Sequence, residues 1–257
     1  RFIPLISRIN NSTNSIKYGL PSLNVLSEEL SKNNNIITKT DNNADTNIFV
    51  KSLEFKEVSF TYDSRKDFLL DKLNFKINKG DLVKIIGKSG SGKTTLTNLI
   101  IGFLEPSEGK ILLDNVSIKG NHNKWISKIG IVSQSIFLLN DTVENNIVFG
   151  SLIDKQRLKN VLNAVNLIAE EGFKLSSYIE ENGRNLSGGE IQRIAIARAL
   201  YNDSDLIIFD EPTSNLDNDN TKLIENLINS LRKKKTIIVI THDKNLFKDS
   251  EVVINLN

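Results

Sequence analysis

Two different periods of apolar residues divide this chain. From its start to about residue 31, Phe2, Ile6, Ile9, Thr13, Ile16, Leu20, Leu23, Ser27 and Leu30 follow one another at alternating spacings of four and three. This is a helical stripe with polar gaps at Thr13 and Ser27. At ~1.5 Å per residue such a helix would be roughly 45 Å long. Pro21, placed after Gly19, is expected to kink or interrupt it. The stripe suits a coiled-coil or docking helix, and it equally suits a tail descending from an upstream membrane helix. Residues 31–47 are polar and Asn-rich with few apolar anchors, which predicts a linker.

From about Ile48 to the end the pattern becomes that of a globular domain. Leu53 and Phe55, then Val58, Phe60 and Tyr62, alternate in two short runs with a break between them; Leu73, Phe75 and Ile77 alternate again. Such alternation predicts half-exposed antiparallel strands. Leu82–Ile86, Leu206–Phe209 and Thr236–Ile240 are instead short continuous apolar runs, separated by helical patterns. They read as strands of a parallel sheet buried on both faces, and so as an α/β fold. Over Thr221–Arg232, Leu223, Ile224, Leu227, Ile228 and Leu231 share one helical face. The basic run Arg232–Lys235 at its end reads as a solvated cap that suits the helix dipole.

Composition narrows the chemistry. Lys and Arg number 33 against 31 Asp and Glu, a net charge of +2 in 257 residues, which argues against a nucleic-acid partner. The absence of cysteine excludes disulfides, thiolate metal sites and a Cys nucleophile, and two histidines are too few for a His-rich metal cluster. No stretch reaches the ~18–20 apolar residues that cross a bilayer, and no signal-peptide pattern is present. The chain contains no Met, so Arg1 is expected to lie inside a longer product.

The strongest local signal is Gly87-Lys88-Ser89-Gly90-Ser91-Gly92-Lys93-Thr94, followed by Thr95. It matches G-x-x-x-x-G-K-[ST] in full, between a buried strand and a helical run. Glycines let the loop curl so that backbone N–H groups point at phosphate oxygens, and the helix N-terminus adds its dipole. Lys93 is expected to reach the β- and γ-phosphates of a nucleotide, and the Thr94 hydroxyl to ligate Mg2+. The run Leu206-Ile207-Ile208-Phe209-Asp210-Glu211 is a strand ending in two carboxylates. Asp210 is placed to hold Mg2+ through water, and Glu211 to polarise an attacking water as general base.

Leu186-Ser187-Gly188-Gly189-Glu190, followed by Ile191-Gln192-Arg193, resembles the signature motif of the ATP-binding cassette (ABC) ATPases, with Glu190 where the family usually has Gln. The order along the chain also fits: phosphate loop, Gln134, signature, Asp210-Glu211, His242. The resemblance covers about residues 50–257. It implies a P-loop NTPase core, an antiparallel β subdomain, and an α-helical subdomain at about 135–200. It implies ATP and Mg2+ as ligands. Tyr62 looks like the aromatic residue that stacks on adenine, and Gln134 like the residue that touches Mg2+ and the attacking water. Asp217 resembles a loop residue that crosses a dimer interface, and His242 the switch histidine at the γ-phosphate. His122, in a polar loop, reads as surface; Trp125 reads as packed.

By the same resemblance, Ser187, Gly188 and Gly189 would complete the ATP site of a second ABC ATPase domain, so a head-to-tail dimer with two ATP molecules is expected, with an identical chain as the expected partner. The N-terminal helix, the missing start and Glu180-Glu181-Asn182-Gly183-Arg184 are similar to exporter half-transporters. They imply a transmembrane domain encoded upstream and a place at the cytoplasmic face of a bacterial inner membrane. Pro21-Ser22-Leu23, Glu28-Glu29-Leu30 and Trp125 are similar to flippases for lipid-linked oligosaccharides. A soluble ABC ATPase acting on nucleic acid or ribosomes is the alternative. Family domains usually continue past the point corresponding to Asn257.

Overall fold

The computed structural model describes residues 2–37, 49–62, 68–167, 174–214 and 216–256. The chain divides between Asp45 and Thr46 into two compact units. The predicted domain start at Ile48 and most of the predicted linker lie outside the described residues.

The N-terminal unit is one helix, α1 (Ile3–Ile37), which runs through Pro21 without interruption. Proline removes a single N–H from the ladder, and the intact turns on either side carry the helix past it. The helix also continues into the Asn-rich segment, since Asn lowers helix propensity by only a few tenths of a kcal/mol per residue. The polar gap at Thr13 is locally satisfied: its hydroxyl donates to the carbonyls of Ile9 (3.0 Å) and Asn10 (2.9 Å). The apolar stripe, from Phe2 and Ile6 through Leu23 to Leu30, is exposed.

The second unit contains two sheets. In the antiparallel sheet, β1 (Ser52–Phe60) pairs with β2 (Leu70–Asn78) and β4 (Glu108–Leu113), and the short β5 (Val116–Ser117) extends the edge. The predicted break in β1 is a register shift between Phe55 and Val58, where Glu57 adopts φ 48°. The second sheet has five strands and is parallel throughout. Its strands are β3 (Leu82–Gly87), β6 (Ile129–Val132), β7 (Leu206–Asp210), β8 (Thr236–Thr241) and β9 (Val252–Leu256).

Both faces of the central strands of the parallel sheet are buried, which explains the continuous apolar runs. Along β7, Ile207 and Phe209 enter one core while Leu206 and Ile208 enter the other. The first core is shared with α4 (Val143–Val148), α5 (Lys155–Ala164), α6 (Gly188–Tyr201) and α7 (Asn218–Leu231). The second holds α2 (Lys93–Ile101), the inner face of the antiparallel sheet, and Trp125 of the short α3 (His122–Ile126). Trp125 is fully buried, and its indole N–H donates to Ile100 O at 2.8 Å.

Three local expectations change. Leu223 is 52% exposed, and the buried face of α7 is Ile224, Leu227, Ile228 and Leu231. The basic run after α7 is divided: Lys233 and Lys234 are exposed, while Arg232 pairs with Glu251 and Lys235 Nζ lies 3.0 Å from Asp203. His122 is half-buried, and its Nε2 is enclosed with no partner.

The topology decides where the chemistry can sit. Strands β6, β7, β8 and β3 are consecutive neighbours and point the same way. Their carboxyl ends therefore deliver Gln134, Asp210-Glu211, His242 and the phosphate loop to one edge of the sheet, the usual place for a ligand in an open α/β sheet.

Candidate functional site

The loop from Gly87 to Gly92 joins β3 to α2. Gly92 caps α2 with φ 93°, a conformation that a side chain disfavours, and a Cβ there would meet Leu70 Cδ2 at 2.9 Å. Lys93 Nζ donates to Gly87 O (2.7 Å) and Lys88 O (3.0 Å), folding its ammonium back over the loop. Ser91 Oγ is buried with no hydrogen-bond partner. A buried hydroxyl without a partner, inside a loop that carries an ammonium and ends at a helix N-terminus, fits an anion with several acceptor oxygens. The residues present therefore fit a nucleotide phosphate chain.

A cavity of about 450 Å³ opens beside this loop. Ser89, Gly90, Gly92, Lys93, Thr94, Thr95, Gln134, Asp210, Glu211 and His242 line it, together with Leu69. Burial, with the neighbouring Glu211 carboxylate adding to it, pushes Asp210 above the usual range, against the pull of Lys93. A carboxylate so disfavoured invites a cation. Among the described residues no group of three or more His, Cys, Asp or Glu side chains could hold a metal. The donors at hand are a hydroxyl (Thr94), an amide (Gln134) and one carboxylate (Asp210). That oxygen set suits Mg2+, which keeps waters and substrate phosphates as ligands.

Glu211 follows β7 in a left-handed conformation, φ 50°. Its N–H donates to Ile240 O at 2.9 Å, and its own carbonyl accepts from Ser214 N (3.1 Å) and Oγ (2.8 Å). These bonds hold a backbone state that Glu does not favour. The carboxylate faces His242, whose Nδ1 lies 3.0 and 2.9 Å from its two oxygens. An ionised carboxylate only accepts, so Nδ1 carries the proton and Nε2 is left for another group. The Glu211 side chain is 11% exposed and that of His242 73%, so the pair runs from the cavity floor to its mouth.

Other candidates lie elsewhere. The Tyr62 hydroxyl is 3.2 Å from Thr95 Oγ1, which ties this partly exposed ring to the start of α2. Ser187, Gly188, Gly189 and Asp217 are not part of the cavity lining. Ser187 caps α6 in a capping box: Glu190 N donates to its Oγ at 3.2 Å, and Ser187 N donates to the Glu190 carboxylate at 2.7 Å. Asp217 caps α7, accepting from Asn220 N and Nδ2, each at 2.8 Å, which holds its carboxyl below the usual range. The two caps are neighbours, since a Cβ on Gly189 would meet Asn220 Oδ1 at 2.6 Å. Sequence reasoning missed Leu69, which nothing around it marks, and the direct contact between Glu211 and His242.

A family model described as ABC transporter matches residues 70–214. The chain belongs to the ABC transporter family. Its fold is the family's P-loop ATPase fold, in the form of an exporter nucleotide-binding domain. It is 38% identical over 198 residues to an ATP-dependent lipid A-core flippase of Paraburkholderia xenovorans, covering 74% of this chain and 33% of that protein. It is 38% identical over 209 residues to the flippase of the same name from Pasteurella multocida, covering 79% of this chain and 36% of that protein. A bacterial Atm1-family ABC exporter solved with ATP bound superposes with a TM-score of 0.72 at 32% identity, covering 83% of this chain and 38% of the other. The chain thus spans about a third of the length of the curated relatives it matches. Their named cargo is lipid A-core, where the sequence resemblance pointed to lipid-linked oligosaccharides. No described helix is long and apolar enough to cross a membrane.

Proposed function

We propose that this domain binds MgATP in the cavity beside the phosphate loop and hydrolyses it to power a membrane exporter. The observation that carries the reading is the meeting of Lys93, Thr94, Gln134, Asp210, Glu211 and His242 around one cavity. Lys93 leaves its two carbonyls and neutralises the β- and γ-phosphates. Thr94, Gln134 and Asp210 would hold Mg2+, which when bound would neutralise phosphate charge and orient the phosphate chain. Glu211 orients a water and takes its proton as the water oxygen bonds to the γ-phosphorus and the bond to the ADP oxygen breaks. His242, held through Nδ1, presents Nε2 to the γ-phosphate. The catalytic contribution is positioning and charge stabilisation.

Adenine stacking falls to Tyr62, whose bond to Thr95 sets the ring beside the helix that follows the loop. Ser187 and Gly188 are exposed and Gly189 is buried at the N-terminus of a 14-residue helix, beside the Asp217 cap. That placement supports their role at the γ-phosphate of a second copy, with Asp217 at the same interface. A transmembrane domain is the second partner, which places the domain on the cytoplasmic side of a membrane. Binding is tested by titrating MgATP into the protein and into Lys93→Ala. Saturable binding by the first and at least a tenfold loss in the second is expected; equal binding by both contradicts the assignment.

A further inference from the structure

Lys84 sits in the middle of β3 and is 4% exposed. Its strand neighbours Leu82, Val83 and Ile85 are all fully buried core residues. A lysine in such surroundings needs acceptors for its N–H donors. Here Nζ donates to Leu246 O at 2.9 Å and Lys244 O at 3.3 Å. Both carbonyls belong to the segment that leaves β8 immediately after His242. The same strand ends at Gly87, where the phosphate loop begins. One buried cation therefore joins the base of the phosphate loop to the base of the histidine.

The rest of that segment is fixed by bonds to its surroundings. Asp243 N donates to Thr241 Oγ1 (3.1 Å) and Asn245 N to Asp243 Oδ1 (2.7 Å). Phe247, 2% exposed and with φ 50°, donates its N–H to Glu225 Oε1 of α7 at 2.9 Å. Lys84 is the anchor that comes from the phosphate-loop strand. Without it, the carbonyls of Lys244 and Leu246 would face the buried surface of β3 unpaired, and the segment would have to shift to satisfy them.

We propose that Lys84 is a positioning residue for hydrolysis: it locks the segment after His242 to the phosphate-loop strand and so keeps His242 opposite Glu211. The proposal rests on the assignment of Glu211 and His242 above. Small displacements of a catalytic pair cost rate more than affinity, because most of the phosphate contacts of ATP fall to Lys93 and the loop rather than to His242.

The test is Lys84→Met in the full chain, which keeps a similar apolar stem and removes the donors. The expected result is a kcat lowered about tenfold with the KM for MgATP within about twofold, a size suited to a displacement well under 1 Å. Amide exchange at Lys244–Phe247 should speed up in the same variant. A folded variant with unchanged kcat overturns the proposal, as does a parallel loss of ATP binding and turnover, which would mark a purely structural role. If Lys84→Met does not fold, Glu225→Ala removes the acceptor of Phe247 N and loosens the same segment from α7. A lowered kcat at constant KM then supports the proposal, and unchanged turnover overturns it. Glu211→Gln separates the two levels: full turnover in that variant removes the underlying site assignment. An inactive Glu211→Gln beside a fully active Lys84→Met removes only the role of Lys84.

Discussion

Arg198 and Asn146 are joined at two points: Arg198 Nε donates to Asn146 O at 2.9 Å, and Nη2 to Asn146 Oδ1 at 3.2 Å. Arg198 lies on the helix that begins at Ser187, and its Nη1 also reaches Phe137 O at 3.0 Å, in the loop that follows Gln134. Asn146 is fully buried and closes the same loop, bonding both N and O of Leu139 at 2.8 and 3.0 Å. The guanidinium lies 4.4 Å over the Phe149 ring, and burial lowers its pKa while leaving it charged. The signature helix and the Gln134 loop are thus one hydrogen-bonded unit.

Asn146→Ala leaves Leu139 N, Leu139 O and part of the Arg198 fork without partners. The expected cost is about 2–4 kcal/mol, since each buried unsatisfied group costs roughly 1–3 kcal/mol. Urea unfolding followed by circular dichroism measures it. A change within about 0.5 kcal/mol would show that water replaces the amide.

Asp210 is pushed above its ordinary value of 3.8 by burial and by Glu211. For an acid raised in the folded state the charged form is penalised. The nucleotide-free protein is therefore destabilised as pH rises past 3.8, with the full penalty once pH exceeds the raised folded value. Asp210→Asn should unfold at a higher temperature than the parent at pH 7 without ligands, with the gap closing as pH falls toward 3.8. MgATP should stabilise the parent more than the variant. A lower melting temperature for Asp210→Asn at pH 7 contradicts this electrostatic picture.

Glu251 moves the opposite way. Burial pushes it up, but bonds from Arg232 and from Leu82 N at 2.8 Å outweigh that and hold it below its ordinary value of 4.5. Its stabilisation is complete above 4.5 and is lost as pH falls through the lower folded value. Because the pair is partly exposed, Glu251→Gln should cost only about 0.5–1 kcal/mol at pH 7. The difference should vanish in acid; a gap that persists below about pH 3 would mean the loss is in packing.

Gly189→Ala tests the patch outside the cavity. The new Cβ would press on Asn220 Oδ1, and Asn220 cannot swing away freely because its Nδ2 holds Asp217 at 2.8 Å. The variant should bind MgATP nearly as well as the parent but turn it over at least tenfold more slowly, because the group it disturbs is the one proposed to serve the partner's site. Normal turnover with normal association would remove Gly189 from the mechanism.

Much of this architecture was legible in the sequence. The strands at Leu82, Leu206 and Thr236 carry dense apolar runs because both their faces are buried, and each ends at a motif. The strands β6 and β9 were not read out, because they are short and their burial depends on neighbours far along the chain. The antiparallel β4 begins with the polar Glu108-Gly109-Lys110, which hides its alternation. The phosphate loop, Asp210-Glu211 and His242 were found from local motifs. Their meeting was not local: it comes from the strand order β6-β7-β8-β3, which no window of sequence contains. Lys84 was invisible for the opposite reason. A lysine in an apolar run looks like an interruption until the carbonyls of Lys244 and Leu246 are seen to receive it.

In the proposed reaction Glu211 takes the proton from the attacking water. The most direct measurement is phosphate release from MgATP by the parent and by Glu211→Gln, with bound ATP quantified in the same samples. Glutamine keeps the shape and removes the base. A fall in turnover of roughly 100-fold or more, with ATP still bound, is the predicted result, matching the usual contribution of a general base. Turnover within about threefold of the parent would contradict it, and the base would have to be sought in another group.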